Sequence, residues 1–302
     1  MTPQKKATVV ASGVALTLVT IKLIVGLTTG VVVVLASAID SLLDFAISLF
    51  NSYAVTKSQQ PEDESYNYGR GKIEGIASVL EGLIICASGI AIIYAAIDKF
   101  HSSEPTTGLD YSLGVMLIST IMTWFLVTYL GRIAKETGSL IIEADSLHYK
   151  SDLYSNVGVI ISLGLIWATG IDLIDSIASF LIAIYIIRSA IDVIKKGVQM
   201  LLDRALPHET VEQIKSILDA HINAKDCIVT GYHFLKTRES GEVKIVDVHL
   251  VFSPTVLLRD AHNVTDHIED RIREIDKNSK WMILIHQDPY DDSPIELKVH
   301  TH

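Results

Sequence analysis

The sequence predicts a multi-pass α-helical membrane domain followed by a small soluble α+β domain. Of the 302 residues, 49% are hydrophobic, and the mean hydropathy is +0.37. Long apolar runs almost all precede residue 200, and six of them reach the roughly 20 residues that a bilayer-spanning helix needs. Beyond residue 200 the composition is that of an ordinary soluble domain. We therefore place the membrane domain at residues 1–204 and the soluble domain at residues 205–302.

The six predicted transmembrane helices lie at residues 8–30, 32–57, 73–98, 112–133, 144–169 and 172–196. The first run is too long for a signal peptide and lacks its cleavage pattern, so we expect a true span there. An even number of spans places both termini on one side. The positive-inside rule makes that side the cytoplasm, because the opposite loops carry only Lys99. The flanking basic residues on the terminal side are Lys5, Lys6, Lys57, Arg70, Lys72, Arg132, Lys135, Lys195 and Lys196.

The soluble domain shows two helical and three strand patterns in alternating order. Pro207 precedes the amphipathic segment ETVEQIKSILDAHI, with proline near the first turn, where its missing N–H costs nothing. CIVTGYHFLKTRES and GEVKIVDVHLVF alternate apolar and polar residues around a Ser-Gly turn, as a hairpin does. RDAHNVTDHIEDRIREID predicts a second helix and WMILIHQDP a third strand. The order α-β-β-α-β predicts an open sandwich with helices on one face of the sheet.

Charge and cysteine content exclude several classes of protein. The formal net charge is −10, and no basic face or tail appears, which argues against nucleic-acid binding. Cys86 and Cys227 lie in different domains and form no CxxC pair. They indicate neither a disulfide framework nor a thiolate metal site.

Two pairs of ligand-type residues stand inside apolar spans. Asp40 and Asp44 belong to the second span, and His148 and Asp152 to the fifth. The i, i+4 spacing puts each pair on one helical face. Ionisable residues at membrane depth cost on the order of several kcal/mol each and usually mark an ion pathway. Three carboxylates and one imidazole suit a divalent transition metal such as zinc. The alternative is polar residues near helix ends, solvated or paired with Lys150.

A second group of possible ligands lies in the soluble domain. His233 and His249 fall on the two hairpin strands, His262 on the second helix, and His286 with Asp288 at the end of the last strand. Strand ends and a helix terminus of a small sandwich can meet, so these residues could bind one or two metal ions. The alternative is a set of dispersed surface histidines.

Three further charged residues carry open interpretations. Lys72 and Asp203 both lie at the cytoplasmic edge of the membrane domain, where a salt bridge between them could couple the two domains. Glu81 lies about two turns into the third span. It could accept a proton or merely face a water-filled cavity.

Several segments in order resemble the cation diffusion facilitator family, most closely its bacterial zinc-and-iron exporter branch of the YiiP type. They are SAIDSLLD, YGRGKIE, EADSLHYKSD, LLDRALP, GYHFLKTR and IHQDP. The resemblance runs from the first span to about residue 290. It implies a homodimer of six-helix protomers in the bacterial inner or plasma membrane, with metallochaperone-like (ferredoxin-like) cytoplasmic domains. Such proteins exchange a divalent metal ion for protons by alternating access.

The resemblance also implies roles for individual residues. It assigns the transport site to Asp40, Asp44, His148 and Asp152, the cytoplasmic binuclear site to His233, His249, His262, His286 and Asp288, and a domain interlock to Lys72 and Asp203. One segment departs from the family. Relatives often carry an aspartate and two histidines between spans two and three. Here Asp63 matches the aspartate, but Tyr66 and Arg70 occupy the histidine positions, so we expect no metal site in that loop.

The sequence thus predicts an exporter of Zn²⁺, with Cd²⁺, Fe²⁺ and Co²⁺ as other cations that fit the ligand types. Protons and metal compete for the imidazole and carboxylates, which predicts proton antiport. Lipid would contact the apolar outer faces, and no enzymatic activity is expected. The sequence leaves two alternatives open. One is a metal-gated sensor dimer without transport, and the other is a membrane-embedded zinc metalloenzyme, for which four protein ligands are one too many.

Overall fold

The computed structural model describes residues 1–29, 32–101, 109–169, 173–223, 228–277 and 279–292. Cys227 lies outside these residues. The chain forms two compact units, Met1–Leu201 and Leu202–His302.

The first unit consists of six long helices. They are α1 (Pro3–Thr29), α2 (Val32–Ser58), α3 (Ile73–His101), α4 (Leu109–Thr137), α5 (Leu140–Thr169) and α6 (Leu173–Leu201). Among the described residues, four helices are long and apolar enough to cross a membrane: Pro3–Thr29, Ile73–Asp98, Met116–Thr137 and Leu173–Leu201. The other two, α2 and α5, have comparable lengths and carry the acidic and histidine residues discussed above. The helical membrane domain predicted from the sequence is confirmed.

The helices of this unit pack closely where side chains are small. On α3 and α6, a Cβ atom added to Gly75 would lie 3.0 Å from the carbonyl oxygen of Gly197. The reciprocal Cβ on Gly197 would lie 2.8 Å from the carbonyl oxygen of Gly75. Such small residues let two backbones approach in a membrane, where packing rather than hydrophobic burial drives association. Helix α2 in turn packs against α1, α3 and α5, so its inner face is enclosed by three helices.

The start of α5 is anchored to α3 by a buried carboxylate. Glu74 Oε2 accepts hydrogen bonds from Ser139 Oγ at 3.1 Å and from the backbone N–H of Leu140 at 3.2 Å. Gly138, with φ of +67°, makes the tight turn from α4 that leads into this contact. A negative group at a helix N-terminus satisfies orphan N–H donors. This contact fixes the first turn of α5, the helix that carries His148.

The second unit has the predicted α-β-β-α-β order, which confirms that part of the fold class. Its elements are α7 (His208–Ile222), β1 (Val229–Ser240), β2 (Val243–Phe252), α8 (Leu258–Arg273) and β3 (Lys280–Asp288). The sheet order is β1-β2-β3, with β1 antiparallel and β3 parallel to β2. Buried side chains from both helices and from β2 form the core: Ile214, Leu218, Val246, Val248, Leu250, Ile268 and Ile272.

The register of the sheet places three histidines in one row. His233 on β1 pairs with His249 on β2, and His249 pairs with His286 on β3. A register shift follows His233, where Phe234 has a φ of +51°. Such a bulge re-aims the neighbouring side chains. The row of histidines thus ends at an irregular point of β1.

Candidate metal centres

Helices α2 and α5 bring three of the predicted ligands together. One ligand atom from each of Asp44, His148 and Asp152 lies within 4.8 Å of the other two. The His148 Nε2 atom is 3.1 Å from Asp44 Oδ1. The i, i+4 spacing on α5 puts His148 and Asp152 on the face that meets α2. Two carboxylates and an imidazole at this separation can coordinate a single divalent cation.

The fourth predicted ligand, Asp40, lies outside this three-residue cluster but lines the same cavity. The cavity has a volume of about 340 Å³ and is lined by Asp40, Asp44, His148 and Asp152. Hydroxyl and amide side chains supply further polar lining: Ser37, Ser41, Ser88, Ser119, Thr123, Ser155 and Asn156. Asp40 stands one turn from Asp44 along α2. A cation that enters the cavity therefore meets Asp40 beside the three clustered ligands.

A lysine that the sequence analysis overlooked also lines this cavity. Lys22 on α1 donates a hydrogen bond to Ser41 Oγ at 2.6 Å, and its Nζ lies 3.4 Å from the carbonyl oxygen of Ser37. It lines the same cavity as Asp40, Asp44 and Asp152. The signal was present in the sequence, because Lys22 interrupts the first apolar run (LVTIKLIVGL). The membrane cavity therefore contains a lysine amine as well as its carboxylates.

The second unit brings together a different set of ligands from the one predicted. The cluster contains His233, His249, Asp288 and Asp292, with one ligand atom from each within 4.8 Å of the others. Asp288 lies between the two histidines, with Oδ2 at 2.9 Å from His249 Nδ1 and 3.4 Å from His233 Nε2. Its Oδ1 is 3.0 Å from the Nε2 of the more exposed His286. The cross-strand pairing of His233 with His249 and of His249 with His286 explains why the three histidines lie together.

The cluster differs from the predicted set: His262 and His286 are not among its four residues, and Asp292 is. His262 lies apart from the cluster, with its Nε2 3.6 Å from Asp266 on the same helix, and its side chain is 66% exposed. Asp292 was not foreseen, yet its Oδ1 is 3.1 Å from His233 Nε2. Both ring nitrogens of His233 are buried, and neither makes a hydrogen bond of good geometry. The segment after β3 therefore returns a carboxylate towards β1, which strand periodicity could not predict.

Lys72 and Asp203, the predicted interlock, each contact their own unit. Lys72 Nζ lies 3.4 Å from the carbonyl oxygen of Leu201. Asp203 Oδ1 accepts a hydrogen bond from Arg238 Nη1 at 3.0 Å. Its φ of +55° puts Asp203 in the left-handed region, as does the φ of Phe234 among the other described non-glycine residues. Their pairing across the two units stays a prediction.

The loop between α2 and α3 contains an ion pair. Arg70 Nη2 lies 2.5 Å from Asp63 Oδ2, and the Arg70 guanidinium stacks over the Tyr66 ring at 4.1 Å. The hydrogen bond from Arg70 and two backbone N–H donors hold the pKa of Asp63 below its ordinary value. Arg70 thus pairs with Asp63, the residue that matches the aspartate expected in this loop. A metal ion would have to displace it.

Comparison with known proteins gives two family matches and close relatives. Residues 8–202 match the cation efflux transmembrane domain, and residues 206–290 match the cytoplasmic domain of cation efflux proteins. The chain is 34% identical to the cation-efflux pump FieF of Salmonella arizonae over 293 residues, which are 97% of this chain and 95% of that protein. It is also 34% identical to the cation-efflux pump FieF of Salmonella choleraesuis over 291 residues, covering 96% and 94% of the two chains.

Proposed function

We propose that this chain exports Zn²⁺ from the cytoplasm in exchange for protons. It belongs to the cation diffusion facilitator family of cation efflux proteins. The family makes it a multi-pass membrane transporter of divalent metal cations and not an enzyme. Our proposal goes beyond family membership in three points: the zinc preference, the proton coupling and the alternating-access cycle.

The observation that carries this proposal is the cluster of Asp44, His148 and Asp152 on a polar cavity of the membrane unit. These groups bind metal only when deprotonated, so loading a cation releases protons and protonation releases the cation. A proton gradient directed into the cell would therefore drive metal outward if the cavity opened to the two sides in turn.

The ligand types support zinc as the principal substrate. A mixed imidazole and carboxylate set suits zinc, whereas an all-oxygen set would have pointed to manganese. Cd²⁺, Fe²⁺ and Co²⁺ fit the same ligand types. Asp40, which lines the cavity beside the cluster, is the natural fourth ligand for a tetrahedral ion.

We further propose that the protein works as a homodimer in the bacterial inner membrane with both termini in the cytoplasm. The distribution of lysine and arginine in the loops supports this orientation. The soluble cluster would hold metal when cytoplasmic levels are high. Metal there would stabilise one arrangement of the dimer and so couple transport to supply.

Zinc flux into proteoliposomes with an imposed proton gradient tests the transport function. Wild-type protein should carry Zn²⁺ faster when the gradient is present, and Asp152→Ala should abolish that flux. Asp192→Ala, which removes an exposed carboxylate from α6, is the matched control and should transport normally. Gradient-independent flux would overturn antiport. If wild-type protein moved neither zinc nor the other three cations, the transport proposal itself would fail and a sensor role would be favoured.

A further inference from the structure

Outside the metal cluster, the membrane unit buries a second group of polar side chains from three helices. Asn51 on α2, Glu81 on α3 and Asp145 on α5 are exposed by 0%, 2% and 0%. None of them lines the cavity that holds the metal ligands. Burying two carboxylates at such a depth costs free energy, so packing alone does not explain their presence.

One amide group holds the two carboxylates together. Asn51 Nδ2 donates one hydrogen bond to Glu81 Oε2 and another to Asp145 Oδ1, both at 3.1 Å. This uses both amide hydrogens. The remaining oxygens, Asn51 Oδ1, Glu81 Oε1 and Asp145 Oδ2, are buried and have no hydrogen-bond partner in the described structure. Buried acceptors normally have a hydrogen-bond donor, and a proton on one of the carboxyl groups would supply one here.

Among the described residues, the basic group that faces the pair is the His148 imidazole. On α5 the titratable neighbours are Tyr149 and His148, and His148 is already directed at Asp44. On α3, Glu74 is occupied by the start of α5. At Gly82, the residue after Glu81, α6 presents the apolar Ile194 and the carbonyl oxygen of Ala190. No lysine or arginine of the described chain forms an ion pair with either carboxylate.

We infer that Glu81 and Asp145 form a proton-binding site that holds at least one proton between them. Two carboxylates bridged by a single amide cannot both be ionised in a dry interior when the basic group beside them, His148, already pairs with Asp44. A proton on one of them turns an orphaned acceptor into a donor. It also leaves one negative charge that the Asn51 amide can solvate.

The position of the pair links this proton to the metal. Asp145 precedes His148 by three residues, so the two side chains are neighbours, about 5 to 6 Å apart, on the same face of α5. When a divalent cation replaces the proton of His148, the local positive charge rises by one. That field favours ionisation of the pair, so a carboxylic acid becomes a carboxylate and its proton leaves to water. This step rests on the proposed antiport.

The first test is infrared spectroscopy of the purified full-length protein, free of metal, at neutral pH. Wild-type protein should show the carbonyl stretch of a protonated carboxylic acid, and added Zn²⁺ should weaken it. Glu81→Gln and Asp145→Asn should each weaken the metal-free band. Glu143→Gln, which changes a more exposed glutamate on α5 that pairs with Lys196, should leave it intact. Absence of the band from wild-type protein would overturn the inference without any variant.

The second test counts protons released on zinc binding, by calorimetry in buffers of different ionisation enthalpy. Glu81→Gln should release about one proton fewer per bound zinc ion than wild-type protein. Glu81→Asp, which restores a titratable group, should recover part of the release. Unchanged release from folded Glu81→Gln protein would contradict the proton site. If the band and the release behave as expected but no zinc flux is seen, the proton site stands and the antiport proposal fails.

Discussion

At the residue scale, the most consequential side chain that sequence reasoning missed is Lys22. Its ammonium group shares a cavity with three aspartates and is held by Ser41 Oγ at 2.6 Å. A fixed positive charge there neutralises part of the carboxylate charge when no metal is bound. It also repels an incoming cation. We expect Lys22 to limit how tightly the cavity holds metal, as suits a transporter that must release its substrate.

We therefore expect Lys22→Met to tighten zinc binding at the membrane cluster by about tenfold, or ~1.4 kcal/mol, since one repelling unit charge is removed. Competition with a fluorescent chelator would measure this in a His249→Ala background, so that the soluble cluster does not contribute. Lys195→Met, which removes an exposed lysine of α6, is the control. Weaker binding in Lys22→Met would show that the lysine organises the site instead.

A second prediction at this scale concerns Asp292. Its carboxylate lies 3.1 Å from His233 Nε2, so it completes a four-ligand set with His249 and Asp288. Asp292→Asn should weaken metal binding by the soluble cluster about tenfold, because an amide is a poorer ligand for a divalent cation than a carboxylate. Equilibrium dialysis of the full chain would measure the loss. Asp270→Asn on α8 should bind as wild type, and His262→Ala should have a smaller effect than Asp292→Asn.

At the element scale, the contact between α3 and α6 depends on glycine. A Cβ on Gly197 would lie 2.8 Å from both the Gly75 carbonyl oxygen and Val79 Cγ2. Neither backbone can give way without moving its helix, and α3 carries Glu81 and Glu74. The spacing between these two helices therefore affects the position of buried groups that contact α2 and α5.

We expect Gly197→Ala to destabilise the membrane unit by about 1–3 kcal/mol through overpacking. Gly13→Ala on α1 is the matched control, because its new Cβ would meet no atom within 4 Å. Apparent Tm values in detergent should fall for the first variant and not for the second. Equal Tm values would mean that α6 can shift away from α3 without cost.

At the scale of the whole molecule, the two metal clusters belong to two compact units. Each cluster takes all its ligands from its own unit, so we expect each to bind metal when the other is disabled. Asp44→Ala should abolish zinc flux but retain binding at His233, His249 and Asp288. Flux and metal content measured on the same preparation would check this. Loss of both would show that the soluble cluster depends on the membrane one.

Much of this architecture could be predicted from local patterns. Apolar runs of spanning length indicated the long helices, and alternation around Ser240-Gly241 indicated the hairpin. The i, i+4 spacing indicated that His148 and Asp152 share one face. These properties depend on residues that are close in sequence, since helical and strand periodicity determine where neighbouring side chains point.

What only the tertiary structure decided is which distant side chains meet. It grouped Asp44 with the α5 ligands while Asp40 lines the cavity beside them, and it moved Asp292 into the soluble cluster and His262 out of it. It also brought Lys22 to the aspartates, and Glu81 and Asp145 to one asparagine. The sequence alone thus determined the elements and the types of ligand they carry. Their convergence depends on how helices rotate and approach, which packing between distant residues decides.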